Sequence, residues 1–143
     1  MPGGEPGNAT VMGRWQGRFR ARPEAARIIR SEVAARARDW GVPDASIGDV
    51  KLAVTEAATN VVLHAYRDGA AGDVGARAQV EPGRLRVVIS DEGCGLAPRS
   101  DSPGLGLGLP LITAVAETVE VIALEQGTEI HMTFPCSSDE VAA

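Results

Sequence analysis

The chain has few aromatic residues and few cysteines. Only 3% of its 143 residues are Phe, Trp or Tyr, although 44% are hydrophobic, so Val, Leu, Ile and Ala must build the core. Its two cysteines, Cys94 and Cys136, lack the CxxC spacing of a zinc site and are too few for a disulfide framework. We place Cys136 in a polar C-terminal tail. This composition predicts one domain in a reducing compartment.

Long apolar runs and an excess of positive charge are also absent. No apolar run approaches the roughly 18 residues of a membrane-spanning helix, and the N-terminal segment lacks the features of a signal peptide. The net charge of -5 argues against direct nucleic-acid binding. A local cluster of Arg14, Arg18, Arg20 and Arg22 is interpreted as a solvated strand edge. We therefore expect a cytoplasmic protein with neither a membrane nor a nucleic acid as a direct partner.

Hydrophobic periodicity predicts alternating strands and helices between two tails. The ordered domain is predicted at 14–135, with a disordered N-terminal tail at 1–13 and a flexible C-terminal tail at 136–143. The predicted elements are a strand at 14–20, helices at 23–40 and from a Ser46–Asp49 capping box to about 67–69, strands at 76–80 and 85–90, a helix at 111–116, and strands at 119–124 and around 130–134. This order predicts an α/β two-layer sandwich, with helices on one face of a mixed, mostly antiparallel sheet.

A carboxylate and an amide share one face of the second predicted helix. Glu56 and Asn60 are four residues apart and lie among the apolar residues Ala53, Ala57 and Val61. Asn60 could supply an amide oxygen to Mg²⁺, and Glu56 could accept a proton from a hydroxyl that attacks a phosphate. Taken alone, the pair fits a structural hydrogen-bonded pair equally well.

A second carboxylate follows a buried strand. Asp91 comes directly after Val87–Ser90, and Gly93 and Gly95 after it allow a flat ring to approach closely. Such a carboxylate can accept a hydrogen bond from the amino group of adenine. Guanine has no amino group at the same position of its ring. Taken alone, this segment is more often an ordinary turn at the end of a strand.

A glycine-rich segment leads into the third predicted helix. Its alternating glycines let backbone N–H groups converge on a phosphate beside the helix N-terminus. The spacing is neither GxGxxG nor GxxxxGK[ST], so it indicates neither a Rossmann fold nor a P-loop. The residues of this segment are Gly104, Leu105, Gly106, Leu107, Gly108 and Leu109.

In this order, the three elements resemble those of the Bergerat-fold nucleotide-binding superfamily, which includes gyrase, histidine kinases and MutL. The closest resemblance is to the bacterial anti-sigma-factor serine/threonine kinases, and it extends over about residues 14–135. The segments that carry it are 54–66 (VTEAATNVVLHAY), 88–95 (VISDEGCG), 104–112 (GLGLGLPLI) and 127–133 (GTEIHMT).

The resemblance implies a role for each of these segments. Glu56 corresponds to the general base, Asn60 to the Mg²⁺ ligand, and Asp91 to the adenine-binding aspartate, with Gly93 and Gly95 beside it. The glycines of 104–109 correspond to the phosphate-binding segment. Thr128 corresponds to the threonine that supports the adenine contact.

The resemblance also implies ATP and Mg²⁺ as cofactors, a homodimer, and two protein partners. These partners are a sigma factor, which the chain would sequester, and an anti-anti-sigma protein of the STAS-like kind, which it would phosphorylate. The segment 96–103 is short for a nucleotide lid, and Arg99 is its only basic residue that could reach the γ-phosphate. A non-catalytic switch that binds proteins according to ATP or ADP is therefore the alternative. A detached histidine-kinase catalytic domain fits less well, because no phosphoacceptor segment is present.

Overall fold

The computed structural model describes residues 11–66, 71–93 and 109–136, which form a sheet and a layer of helices. The strands are β1 (Gly13–Arg20), β2 (Asp73–Glu81), β3 (Arg84–Asp91), β4 (Thr118–Ala123) and β5 (Thr128–Pro135). The helices are α1 (Pro23–Asp39), α2 (Asp44–Asn60) and α3 (Leu109–Val115), and a π-helical turn (Val61–Ala65) continues from α2.

The five strands form one sheet in the order β1-β2-β3-β5-β4. Every pairing within the described ranges is antiparallel, so the predicted fold class is confirmed and the sheet there is purely antiparallel rather than mixed. The strands β3 and β5 are neighbours, although α3 and β4 separate them along the chain. The end of β3 therefore lies beside the beginning of β5.

One face of the sheet packs against the helices through apolar, mainly aliphatic side chains. Alternation along the strands sends Val87 and Ile89 of β3, and Met132 and Phe134 of β5, into this core, where all four are fully buried. The helices contribute buried side chains to the same core, including Ile29 on α1 and Val50 and Val54 on α2. Each large aliphatic side chain contributes on the order of 1.5–3 kcal/mol by leaving water. An aliphatic core of this kind fits the scarcity of aromatic residues.

The start of α2 differs from the prediction. The helix begins at Asp44 after Pro43, whose side chain makes no capping hydrogen bond. The Ser46 hydroxyl instead donates to the Pro135 carbonyl at 3.0 Å, so the predicted capping box is wrong. A contact with the distant strand β5 has replaced the local cap. The regular α-helix then ends at Asn60, where the π turn begins, and the predicted end at 67–69 lies outside the described residues.

The residue Cys136 is part of the core rather than of a tail. It is 1% exposed, and its backbone N–H donates to the Gly83 carbonyl at 3.0 Å. Burial also raises the pKa of its thiol. Because polar residues follow Cys136, the sequence alone did not indicate that Cys136 is buried. Cys94 lies outside the described residues.

Candidate functional site

Two of the predicted residues meet where β3 ends and β5 begins. Asp91 and Thr128 are register partners in the β3–β5 ladder, with exposures of only 2% and 1%. Gly127, immediately before Thr128, has a φ of +100°. A Cβ at this position would also overlap the backbone carbonyl oxygen of Asp91. Glycine is therefore required here both by the backbone conformation and by the close approach.

The two carboxylate oxygens of Asp91 have different surroundings. The backbone N–H of Gly93 donates to Oδ1 at 3.0 Å. Within the described ranges, Oδ2 is buried and has no hydrogen-bond partner. Burial is the main cause that raises the pKa of this carboxyl. A buried acceptor without a donor is costly, so Oδ2 is the atom at which a donor from a ligand would be most favourable.

The carboxylate and amide predicted on the second helix lie at its C-terminal end. Asn60 is the last residue of α2 and is buried, with 7% exposure, while Glu56 one turn earlier is partly exposed. The helix is regular over both residues, so they share one face, as predicted. The π turn follows at once, and such interruptions of α-helices are frequent at functional sites.

The π turn touches the segment that follows Asp91. A Cβ added to Gly93 would overlap the carbonyl oxygen of Ala65, the last residue of the π turn. Gly93 therefore allows the helix end and the strand end to meet backbone to backbone. This contact brings the segment after Asn60 to the segment after Asp91.

A residue that the sequence analysis did not single out connects these segments. Tyr66 donates its hydroxyl to the Asp73 carbonyl at 2.6 Å and accepts a hydrogen bond from the Glu92 backbone N–H at 2.9 Å. It is the only tyrosine of the chain and follows directly on the π turn that continues from the helix carrying Asn60. Because the chain has so few aromatic residues, the position of its single tyrosine beside a predicted site is the sequence feature that could have indicated a role for it.

Several predicted residues lie outside the described ranges. Leu109, the last residue of the glycine-rich segment, is the first residue of α3. In residues 11–66, 71–93 and 109–136, no group of three or more His, Cys, Asp or Glu side chains could hold a metal ion. Mg²⁺ in proteins usually takes several of its oxygen ligands from water and substrate phosphates. The predicted residues outside the description are Gly95, Arg99, Gly104, Leu105, Gly106, Leu107 and Gly108.

The opposite face of the sheet carries charged side chains, and none of the predicted site residues that the structure describes lies on it. It holds a concavity of about 420 Å³, whose lining includes Arg77, Arg86 and His131. Arg77 pairs with Glu129 at 3.4 Å and Arg86 with Glu81 at 3.3 Å. A hydrogen bond with His131 is the main cause that lowers the pKa of Glu129. Arg77 and Arg86 are thus each paired with a glutamate of the sheet.

The comparisons with known proteins agree on one family. The model of the histidine kinase-like ATPase domain matches residues 19–134. "Serine-protein kinase RsbW" of Bacillus licheniformis is 34% identical over an alignment of 128 residues, which covers 79% of this chain and 79% of the relative. The protein of the same name from Bacillus velezensis is 34% identical over 136 residues, 85% of this chain and 84% of the relative.

A solved structure has the same fold. It contains the RsbU and RsbW domains of a Mycobacterium tuberculosis protein and superposes with a TM-score of 0.71 at 20% identity. The match includes 87% of this chain but only 33% of the solved chain. In the part of the chain that the structure describes, no helix is both long enough and apolar enough to cross a membrane.

Proposed function

Since the chain belongs to the histidine kinase-like ATPase family, and within it to the RsbW serine-protein kinases, we propose that it is an ATP-dependent serine/threonine protein kinase of the anti-sigma type. Its phosphoacceptor is a serine or threonine of an anti-anti-sigma protein of the STAS-like kind, and its second partner is a sigma factor that it sequesters. The homodimer, the cytoplasmic location and the domain bounds 14–135 stay predictions.

The unpartnered oxygen Oδ2 of Asp91 is the observation that carries this proposal. The exocyclic amino group of adenine is a hydrogen-bond donor, whereas guanine presents an acceptor oxygen at the same position. A buried carboxylate whose other oxygen is already occupied by the Gly93 N–H therefore fits adenine and rejects guanine. Thr128, its buried register partner, supports this contact from β5.

The reaction itself is assigned to the face that Glu56 and Asn60 share. The Glu56 carboxylate accepts the proton of the serine or threonine hydroxyl while the hydroxyl oxygen forms a bond to the γ-phosphorus of ATP, and ADP leaves. The amide oxygen of Asn60 would hold Mg²⁺, which neutralises charge on the phosphate oxygens. The partial exposure of Glu56 supports this role, since a protein substrate must reach its carboxylate.

The test is phosphoryl transfer from γ-labelled ATP to a purified anti-anti-sigma protein. Glu56→Gln should keep ATP binding and lose about two to four orders of magnitude in transfer rate, the usual contribution of a positioned base. Glu120→Gln, which makes the same change at an exposed position on β4, is the matched control and should keep the wild-type rate.

Two other results would overturn parts of the proposal. If no partner is phosphorylated, yet partner binding differs between ATP and ADP, the chain is a non-catalytic switch. Equal transfer rates for Glu56→Gln and the wild type would show that Glu56 is not the base.

A further inference from the structure

The hydroxyl of Tyr66 joins the two chain segments that border Asp91. It donates to the carbonyl of Asp73, at the start of β2, and accepts from the N–H of Glu92, directly after β3. The two distances, 2.6 and 2.9 Å, are those of well-formed hydrogen bonds. One phenol oxygen thus satisfies a backbone donor and a backbone acceptor from different strands.

The aromatic ring of Tyr66 is held in place by two glycines. A Cβ on Gly72 would overlap the ring, and a Cβ on Gly93 would contact it at 2.8 Å. The ring therefore lies against backbone on both sides, in spaces that no other residue type would leave open. Such enclosure fixes the position of the hydroxyl. It therefore reduces the side-chain conformational entropy that is lost when the two hydrogen bonds form.

These contacts fix the direction of the Asp91 carboxylate. The N–H of Glu92 is held by Tyr66, and the N–H of Gly93 is held by Oδ1 of Asp91. On the other side, Gly127 packs against the Asp91 carbonyl. The N–H groups of Glu92 and Gly93 and the carbonyl of Asp91 are thereby restrained, which leaves Oδ2 as the oxygen free to receive a ligand.

We propose that Tyr66 is a positioning residue for base recognition: its hydroxyl holds the turn at residues 91–93 so that Oδ2 of Asp91 is aimed at the amino group of adenine. This inference rests on the proposed ATP site at Asp91. Tyr66 acts through Asp91 and does not itself touch the nucleotide.

A second link spans the same two segments but is weaker. The guanidinium of Arg18 lies 3.1 Å from the Glu92 carboxylate and 4.0 Å from that of Asp73. The Arg18 side chain is 57% exposed, and exposed ion pairs of this kind contribute little. The restraint on the turn therefore comes chiefly from the tyrosine.

The experiment compares two nucleotides that differ in one group: ATP, and purine riboside triphosphate, which lacks the 6-amino group. Isothermal titration calorimetry gives both affinities for the wild type and for Tyr66→Phe. We expect Tyr66→Phe to weaken ATP binding about five- to twentyfold, the scale of one or two disturbed neutral hydrogen bonds, and to change the analogue's affinity less than twofold. The preference for ATP over the analogue should fall accordingly.

The control removes a hydroxyl that makes an equally short hydrogen bond far from the proposed nucleotide site. Thr118→Val deletes the 2.6 Å contact with Thr133, which lies five residues along β5 from Thr128 and so about 17 Å away. It should leave both affinities unchanged. If Tyr66→Phe fails to fold, Gly72→Ala, which displaces the ring and keeps the hydroxyl, provides the same comparison and should show the same selective loss.

The outcomes separate this inference from the function on which it rests. A wild type that binds ATP and the analogue equally would overturn the adenine site at Asp91, and the role of Tyr66 with it. A wild type that prefers ATP, together with variants that keep the full preference, would overturn the role of Tyr66 alone. A loss of thermal stability without a change in preference would mean that Tyr66 is only structural.

Discussion

Asp91 and Thr128 face each other across the β3–β5 ladder, and both side chains are buried at the same end of the sheet. A carboxylate in that position loses water on folding, and only its Oδ1 gains a protein donor in the described residues. The folded protein therefore carries an unfavourable term that a bound ligand can remove. A ligand that donates a hydrogen bond to Oδ2 would therefore also raise the stability of the domain.

The first prediction concerns base selection by Asp91. The wild type should bind GTP at least about tenfold more weakly than ATP, because guanine offers no donor to Oδ2 and leaves it unpaired. Asp91→Asn, whose amide can donate to the guanine oxygen, should narrow this difference. Competition binding with both nucleotides measures it. Similar affinities of the wild type for ATP and GTP would contradict the adenine assignment.

The second prediction concerns the pH dependence of stability. Burial raises the pKa of Asp91 in the folded protein above its ordinary value of 3.8, so the folded state binds the proton more tightly than the unfolded state. The stability that this group contributes is fully present below 3.8 and is lost as the pH rises through the folded pKa. In the absence of nucleotide, Asp91→Asn should therefore be more stable than the wild type at pH 7.

Urea denaturation of both proteins at a series of pH values measures this difference. The gain in the free energy of unfolding should shrink as the pH approaches 3.8. A gain that stays constant with pH would mean that ionisation of Asp91 is not its cause.

The third prediction concerns the metal. If Asn60 provides an oxygen ligand to Mg²⁺, calorimetry on the wild type should show tighter ATP binding with Mg²⁺ than without it. Asn60→Ala should lose most of that difference and keep the affinity for metal-free ATP within about threefold. Equal affinities of the wild type with and without Mg²⁺ would remove the metal role from Asn60.

The fourth prediction compares two glycines. Gly127→Ala should destabilise the protein by about 2–4 kcal/mol, because alanine at a φ of +100° is strained and its Cβ would overlap the Asp91 carbonyl. Gly48→Ala lies within α2, where nothing is within 4 Å of the added Cβ, and should stabilise by about 0.5–1 kcal/mol. Thermal unfolding of the two variants shows whether their effects have opposite signs.

Local patterns predicted most of the elements. In β1, Trp15, Gly17 and Phe19 alternate with polar residues, and in α2, Val50, Val54 and Ala57 recur at helical spacing. Both elements are predictable because these signals depend only on neighbours along the chain. The sequence indicates Glu56 and Asn60 by their spacing on one helix face and Asp91 by its position at a strand end, whereas Thr128 rests on the family resemblance alone. The structure places Asp91 and Thr128 side by side and puts Glu56 and Asn60 on one helix face.

The features that the sequence did not predict depend on distant contacts. The hydroxyl of Ser46 is bonded to β5 instead of capping its helix, and Cys136 is buried although polar residues follow it. The bridge made by Tyr66 joins segments that no local pattern relates. Each of these outcomes is decided by tertiary packing, which overrides local preference.

The strand order has a consequence for how the domain folds. Within the described residues β4 pairs only with β5, and β5 lies between β3 and β4. During synthesis, β1, β2 and β3 can pair as soon as they leave the ribosome, whereas β4 has no neighbour until β5 arrives. Pulse-labelled hydrogen exchange should therefore show β4 amides protected no earlier than those of β5. The β3–β5 pairing that places Thr128 beside Asp91 also has to wait for β5, so the proposed nucleotide site would be complete only after the last strand has joined the sheet.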